Sequence, residues 1–137
     1  MGLIHLDAGV IIGLLDADDA HHAAARATLS DSLRRGDQLA IAASALAECL
    51  VGPARRGPKA IELVRTVIDR LPASVVALDA EIATQAAVLR SRHRSLRLPD
   101  ALVIATAANS GADRLITTDR KWPTVKAMKL AVVIERI

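Results

Sequence analysis

Phenylalanine and tyrosine are absent from this chain of 137 residues, and tryptophan and cysteine occur once each. With so few aromatic rings there is no platform on which successive bases could stack, which excludes single-strand binders of the stacking type. A lone cysteine excludes an intramolecular disulfide and a cysteine-rich zinc site, and the apolar neighbours of Cys49 mark it as a packed thiol rather than a nucleophile. No uncharged apolar stretch reaches the roughly 20 residues that a membrane-spanning helix requires. Nor does the N-terminus carry the charged region, apolar core and small-residue cleavage site of a secretory signal, so the cytoplasm is the expected compartment. The segment LDAGVIIG offers Gly9 and Gly13 without the three-glycine spacing of a dinucleotide-binding turn. Gly9 also stands where a phosphatase with an aspartyl nucleophile would carry its second aspartate. No Ser-His-Asp or cysteine–histidine constellation can be placed. His5 lies between aliphatic residues and is expected to be a hydrogen-bonded core histidine, whereas His21 and His22 open a polar helix and are expected at the surface.

What remains is rich in aliphatic residues. The hydrophobic share of 52% is a core signal in a chain of this length, which can bury most of its apolar surface without staples. Leu3-Ile4-His5-Leu6 reads as a buried strand, with a helix beginning after Asp7. Helical periodicity runs from Ala20 to Arg35 and stops at Gly36. Leu39 to Ala42 is a second strand candidate, Ser44 to Val51 is helical, and Gly57-Pro58 opens a helix to about Leu71. Val75 to Leu78 gives a third strand, and Asp79 can cap a helix running to about Arg92. After Pro99, Ala101 to Ala108 forms a helix with almost no polar positions, hence one buried on most sides. Arg114 to Thr117 and Leu130 to Ile134 supply the last strands. This alternation, with no linker or repeat, predicts one α/β domain over residues 1–137, a three-layer α/β/α arrangement around a central parallel sheet.

Four acids stand out against that background: Asp7, Glu48, Asp100 and Asp119. Asp7 closes the first strand, and ligands of open α/β sheets bind outside such strand ends, although an aspartate there can equally cap the following helix. Asp119 repeats the geometry after Arg114-Leu115-Ile116-Thr117, where an ordinary turn aspartate is the plain alternative. Asp100 follows Pro99 in a first helical turn, a place that the helix dipole alone would favour for an acid. Glu48 lies among apolar neighbours and has the weakest structural excuse, short of being one exposed glutamate on a buried helix. Like charges held close together raise one another's pKa and oppose folding unless protons or cations neutralise them. A magnesium or manganese ion would do so, since hard divalent ions prefer oxygen ligands, and no set of cysteines or convergent histidines invites zinc.

The segments LDAGVII around Asp7, SALAECL around Glu48, LPDALVIATAA around Asp100 and ITTDRKW around Asp119 resemble, in order and spacing, the four acidic motifs of PIN-domain ribonucleases. Essentially the whole chain is covered, and its short length most resembles the VapC-type toxins of bacterial toxin–antitoxin pairs. Trp122 stands where the family often has phenylalanine; Thr117 and Ser44 match hydroxyl residues common in it, although either hydroxyl could merely cap or bond backbone. The resemblance implies an endoribonuclease in which Asp7 and Asp100 are the principal ligands of Mg²⁺ or Mn²⁺ and Asp119 and Glu48 complete the site. It also implies a cognate VapB-type antitoxin and a homodimer. The rival reading is a catalytically inactive PIN-like module that engages a protein partner.

Charge points toward a polyanionic substrate. Lysine and arginine number 18 against 15 acids, a net +3; without the four candidate acids 11 remain, and the balance becomes +7. A basic exterior around an acidic pit would attract RNA. Candidate substrate contacts are Arg94 and Arg97, from the basic run that precedes Asp100, together with Arg120, Lys121 and Thr117 beside Asp119. Solvated helix-end arginines explain the same run equally well.

Overall fold

The computed structural model describes residues 1–137. Its elements run β1 (Leu3–Leu6), α1 (Ala8–Leu15), α2 (His22–Arg34), β2 (Gln38–Ala42), α3 (Ala43–Arg56), α4 (Pro58–Arg70), β3 (Ala73–Val76), α5 (Ala80–Arg92), α6 (Leu98–Asn109), β4 (Arg114–Thr117), α7 (Val125–Met128) and β5 (Val133–Arg136). All five strands are parallel, in the order β3-β2-β1-β4-β5. The chain winds outward from β1 to β3 and then returns to the other side of β1, so a topological switch point lies between β1 and β4. Ligand crevices of such sheets open at that point, beyond the carboxyl ends of the strands.

Consecutive residues of the central strands, such as Ile4, His5 and Leu6, are buried together. Side chains alternate between faces along a strand, so continuous burial requires helices over both faces. This is the three-layer α/β/α architecture expected from the sequence. Twenty-nine buried residues form one hydrophobic cluster, in which alanines of α6 such as Ala101, Ala105 and Ala107 let that helix pack closely. Aliphatic side chains and backbone proximity thus fill the volume that aromatic rings would occupy in other cores. Helix starts follow local chemistry. Asp79 accepts from the Ile82 N–H at 2.8 Å, and Pro58 takes the first position of α4.

Three boundaries differ from expectation. The third strand is Ala73–Val76 rather than 75–78, because pairing with β2 sets its register from Leu39↔Ala73 to Ala42↔Val76 and Asp79 is committed to capping α5. The fifth is Val133–Arg136 rather than 130–134, because the Leu130 N–H closes the short helix α7 on the Val125 carbonyl. The second helix begins at His22 rather than Ala20.

His5 also corrects an expectation. It is 1% exposed, yet neither ring nitrogen has a hydrogen-bond partner, since its register neighbours Ala40 and Leu115 offer only apolar side chains. Burial pushes its pKa down to about 4, so the ring is neutral in the folded protein. An unsatisfied buried polar group costs about 1–3 kcal/mol, and His5→Leu is therefore expected to raise the melting temperature at neutral pH. Because the folded pKa lies below the unfolded one, the unfolded chain binds more protons between about pH 6.5 and pH 4, and His5 lowers stability further as pH falls. The advantage of the leucine variant over the wild type should therefore widen between about pH 7.5 and pH 5 in thermal melts. An equal or smaller gap at the lower pH would refute this account of His5.

Candidate metal and phosphate site

Asp7 is the residue immediately after β1, and its position is over-determined. Its N–H donates to the Ile116 carbonyl of β4 at 2.9 Å. One carboxylate oxygen, Oδ1, accepts from the Ala8 N–H at 2.9 Å, so the residue caps α1; the other, Oδ2, accepts from the Thr117 hydroxyl at 2.7 Å. Cap and site residue are thus not exclusive. Two ionised oxygens offer about four acceptor positions, and these two bonds leave half of them free. Thr117 is fully buried, and its hydroxyl oxygen in turn accepts from the Asp119 N–H at 3.0 Å. A single side chain therefore links the carboxylate after β1 to the loop after β4. Within that loop the Lys121 N–H donates to Asp119 Oδ1 at 2.7 Å, leaving Oδ2 without an intramolecular bond.

Asp100 lies in the first turn of α6, where Arg97 Nε approaches its Oδ2 at 3.9 Å. The indole N–H of Trp122 lies close enough to stabilise the Asp100 carboxylate but makes no hydrogen bond of good geometry. Glu48 is an exposed residue of α3 and borders a neighbouring groove with Asp16 and Asp18. The charges of Asp7 and Asp100 still reach it. Ser44 is different from Thr117, since its hydroxyl is buried without a partner and caps nothing.

Electrostatics joins the four acids more clearly than distance does. Desolvation raises the pKa of Asp7 most, and the charges of Asp100 and Asp119 raise it further against the lowering hydrogen bonds from Thr117 and Ala8. Asp100 is raised by desolvation and then by Asp119; Glu48 by desolvation and then by Asp7 and Asp100. Cys49, bonded weakly to the Ala8 carbonyl, is pushed up to about 12 by burial and by Glu48 and Asp7, so it is an inert thiol. No three of these side chains converge tightly enough to form a closed cage for a bare ion. An open set of oxygen donors instead fits a hard divalent ion that keeps part of its water shell, as Mg²⁺ does.

Around Asp100 and Asp119 lies a cleft of about 720 Å³ with no hydrophobic residue in its lining. Arg97 and Ser95 border it from the α5–α6 connection, and Thr118, Arg120 and Lys121 from the loop after β4. Arg94 is exposed but does not border this cleft, and Arg92 and His93 face a separate hollow against α7. The basic run of the sequence is therefore divided in space. His21, Ser95 and Thr118 line the cleft without having been singled out as site residues from sequence; only their nearness in space marks them.

An acid whose pKa rises on folding lowers stability as pH climbs from its unfolded pKa towards the folded one, and the loss is complete once both states are ionised. Asp7→Asn is therefore expected to raise the melting temperature of the metal-free protein at pH 7, by about 4 °C for each 1 kcal/mol relieved. The gain should shrink as pH falls through and below the ordinary aspartate pKa of about 4, where Asp7 becomes protonated in both states, and millimolar Mn²⁺ should stabilise the wild type but not the variant. A variant that melts with the wild type at pH 7 and gains equally from Mn²⁺ would contradict the proposed crowding of charge.

Comparison with known proteins agrees with this geometry. The PIN domain family model matches residues 4–128. No curated protein matches the chain significantly. Among solved structures, VapBC-1 of nontypeable Haemophilus influenzae aligns with a TM-score of 0.71 at 16% identity, over 98% of this chain and 97% of that one. FitAcB of Neisseria gonorrhoeae aligns with 0.68 at 20% identity, over 97% and 96%. VapC20 of Mycobacterium tuberculosis, described as a toxin that cleaves the sarcin–ricin loop, aligns with 0.65 at 21% identity, over 82% and 86%. Identities this low speak for a shared fold, and the match to the family model extends that likeness to sequence. This chain belongs to the PIN domain family.

Proposed function

We propose that this protein is a metal-dependent endoribonuclease, the toxin of a toxin–antitoxin pair, which hydrolyses RNA phosphodiester bonds with Mg²⁺ or Mn²⁺. The observation that carries this reading is the gathering of mutually destabilising carboxylates at the switch point of the sheet, beside a wholly polar cleft bordered by Arg97, Arg120 and Lys121. Such an arrangement weakens the empty protein and suits a bound dication next to a polyanion.

In this reading Asp7 and Asp100 are the principal ligands, and Asp119 and Glu48 complete the shell directly or through water. When bound, the metal supplies an activated water and neutralises charge on the phosphate and the leaving oxygen. The chain's own residues do the rest. Thr117 is a positioning residue, because its buried hydroxyl fixes the rotamer of Asp7 and the amide of Asp119 and cannot reach substrate. Arg97, Arg120 and Lys121 hold the flanking phosphates, and the nearby indole N–H of Trp122 favours the ionised form of Asp100. Arg94, exposed and away from the cleft, serves at most a more distant stretch of RNA.

The partner in this reading is a VapB-type antitoxin. Solved complexes of related fold, including VapBC-1 and a VapBC from Salmonella typhimurium bound to DNA, supply the precedent for that kind of assembly. A homodimer and a cytoplasmic setting go with the same proposal; no helix of this chain is long and apolar enough to cross a membrane.

Purified protein should cut RNA in Mg²⁺ and stop when the ion is chelated. Asp7→Asn and Asp100→Asn should each reduce cleavage to background while folding normally. Arg97→Ala and Lys121→Ala should raise KM several-fold, uniformly across RNA sequences, and each should flatten the dependence of binding on salt by about one ion. Cleavage at the wild-type rate by both aspartate variants would sink the assignment. A folded wild type that cuts no RNA but binds a protein partner would favour an inactive module.

A further inference from the structure

The connection between α1 and α2, residues 16–21, is constructed with more care than a passive loop needs. The Asp18 N–H donates to Asp16 Oδ1 at 2.9 Å, and the His21 N–H donates to Asp19 Oδ1 at 2.8 Å. His22 Nδ1 is hydrogen-bonded to the Gly13 carbonyl at 2.8 Å, which ties the start of α2 to the end of α1. The segment packs directly on Gly13, where a Cβ would stand 3.4 Å from both Asp19 Oδ1 and His21 Cβ, in contact with each. The consequence is that His21 is held at one wall of the acidic cleft.

His21 occupies the N-cap of α2 and makes no capping bond there. Serine, threonine, aspartate or asparagine at that position would stabilise the helix by about 0.5–2 kcal/mol over a residue that cannot cap. A local rule broken at the edge of a site is the usual mark of a residue kept for another purpose. Its imidazole is not idle, either. Nδ1 lies 3.5 Å from Asp19 Oδ1, an ion pair when the imidazole is protonated, and in that form Nε2–H is the donor available to a ligand. The side chain is 39% exposed, so a ligand in the cleft can reach it without rearrangement of the core.

We propose that His21, oriented by Asp19, is an RNA-binding residue of the cleft that holds a backbone phosphate beside the acidic cluster. It thereby extends the rim of Arg97, Arg120 and Lys121 onto the α1–α2 connection, giving the cleft phosphate-holding groups on three separate chain segments. This rests on the ribonuclease reading above, but it names a residue and a role which that reading does not contain.

The test separates binding from chemistry. A fluorescein-labelled stem–loop RNA is titrated with wild type, His21→Ala, His21→Gln and Asp19→Asn, in Ca²⁺ to measure Kd and in Mg²⁺ to measure KM and kcat. Loss of one hydrogen bond to a charged oxygen should weaken binding by about tenfold in His21→Ala. KM should rise with Kd while kcat stays within about twofold, because the contact is made equally in ground and transition states. Glutamine, which keeps a donor at similar reach, should recover most of the affinity, and Asp19→Asn should weaken binding by a smaller factor. Thermal melts identify any variant whose loss reflects unfolding, and the remaining variants then decide the matter. Unchanged Kd and KM in folded His21→Ala would overturn the proposal, as would a fall in kcat at constant KM. A wild type that cleaves no RNA in Mg²⁺ would overturn the ribonuclease reading instead, and the Kd series would still report on His21.

Discussion

Negative charge is crowded at the carboxyl edge of the sheet, where the acids raise one another's pKa. The two ends of the same strands show the contrast. At the amino end, Asp37 accepts from the Gly2 N–H at 2.9 Å and is flanked by Arg35 and Arg114, while Arg114 also pairs with Glu135 of β5. At the carboxyl end, Asp7, Asp100 and Asp119 share only a distant arginine, with Arg97 3.9 Å from Asp100. A fold able to compensate its charges so fully at one edge leaves them uncompensated at the other. The core cluster stabilises the chain against that repulsion.

Thr117 shows how backbone topology turns into site geometry. Parallel pairing of β1 with β4 places Leu6 opposite Ile116, so the next residue of each strand, Asp7 and Thr117, must also be neighbours. The hydroxyl then does what no backbone group can at a strand end: it fixes a carboxylate rotamer while accepting from the amide two residues on. Carboxylate, hydroxyl and loop backbone form one hydrogen-bonded unit. Arg120 and Lys121 are exposed residues of that loop and border the cleft beside Asp119.

The central strands were legible because they are short, continuously apolar and bounded by acids or caps. The edge strands were misplaced because register with β2 and β4, a long-range property, decides where β3 and β5 begin. Asp7 closes an apolar run, Glu48 lies within one, Asp100 opens one and Asp119 stands in the polar loop after one, and these placements are visible in the sequence. The sequence could not order them: Asp100 and Asp119 border one cleft, whereas Glu48 borders the next groove. Arg94 and Arg97 looked equivalent in the chain, but only Arg97, one residue before α6, is at the cleft. His5 was misread because an apolar neighbourhood in sequence says that a side chain is buried and nothing about whether it finds a partner. His21 was passed over for the converse reason, since a histidine in a polar helix start has no local feature that distinguishes it from any surface residue.

The two glycines of α1 connect what is missing from the sequence to what the fold accomplishes. They lack the spacing of a phosphate-cradling loop, and Gly9 occupies the place of the second acid in another enzyme class. In space, a Cβ on Gly9 would meet Thr118 Oγ1 at 2.3 Å, so any other residue at position 9 would oblige the Thr118 side chain to turn away, its Cβ and Cγ2 being at ordinary contact distance. At Gly13, one turn later, a Cβ would reach Asp19 Oδ1 and His21 Cβ at 3.4 Å, the near edge of ordinary contact. Neither glycine adopts a positive φ, so close packing at position 9, rather than an unusual backbone angle, is what glycine provides there. An aspartate at position 9 would thus do more than alter the chemistry: it would place a side chain where the Thr118 hydroxyl packs, next to the loop that carries Asp119.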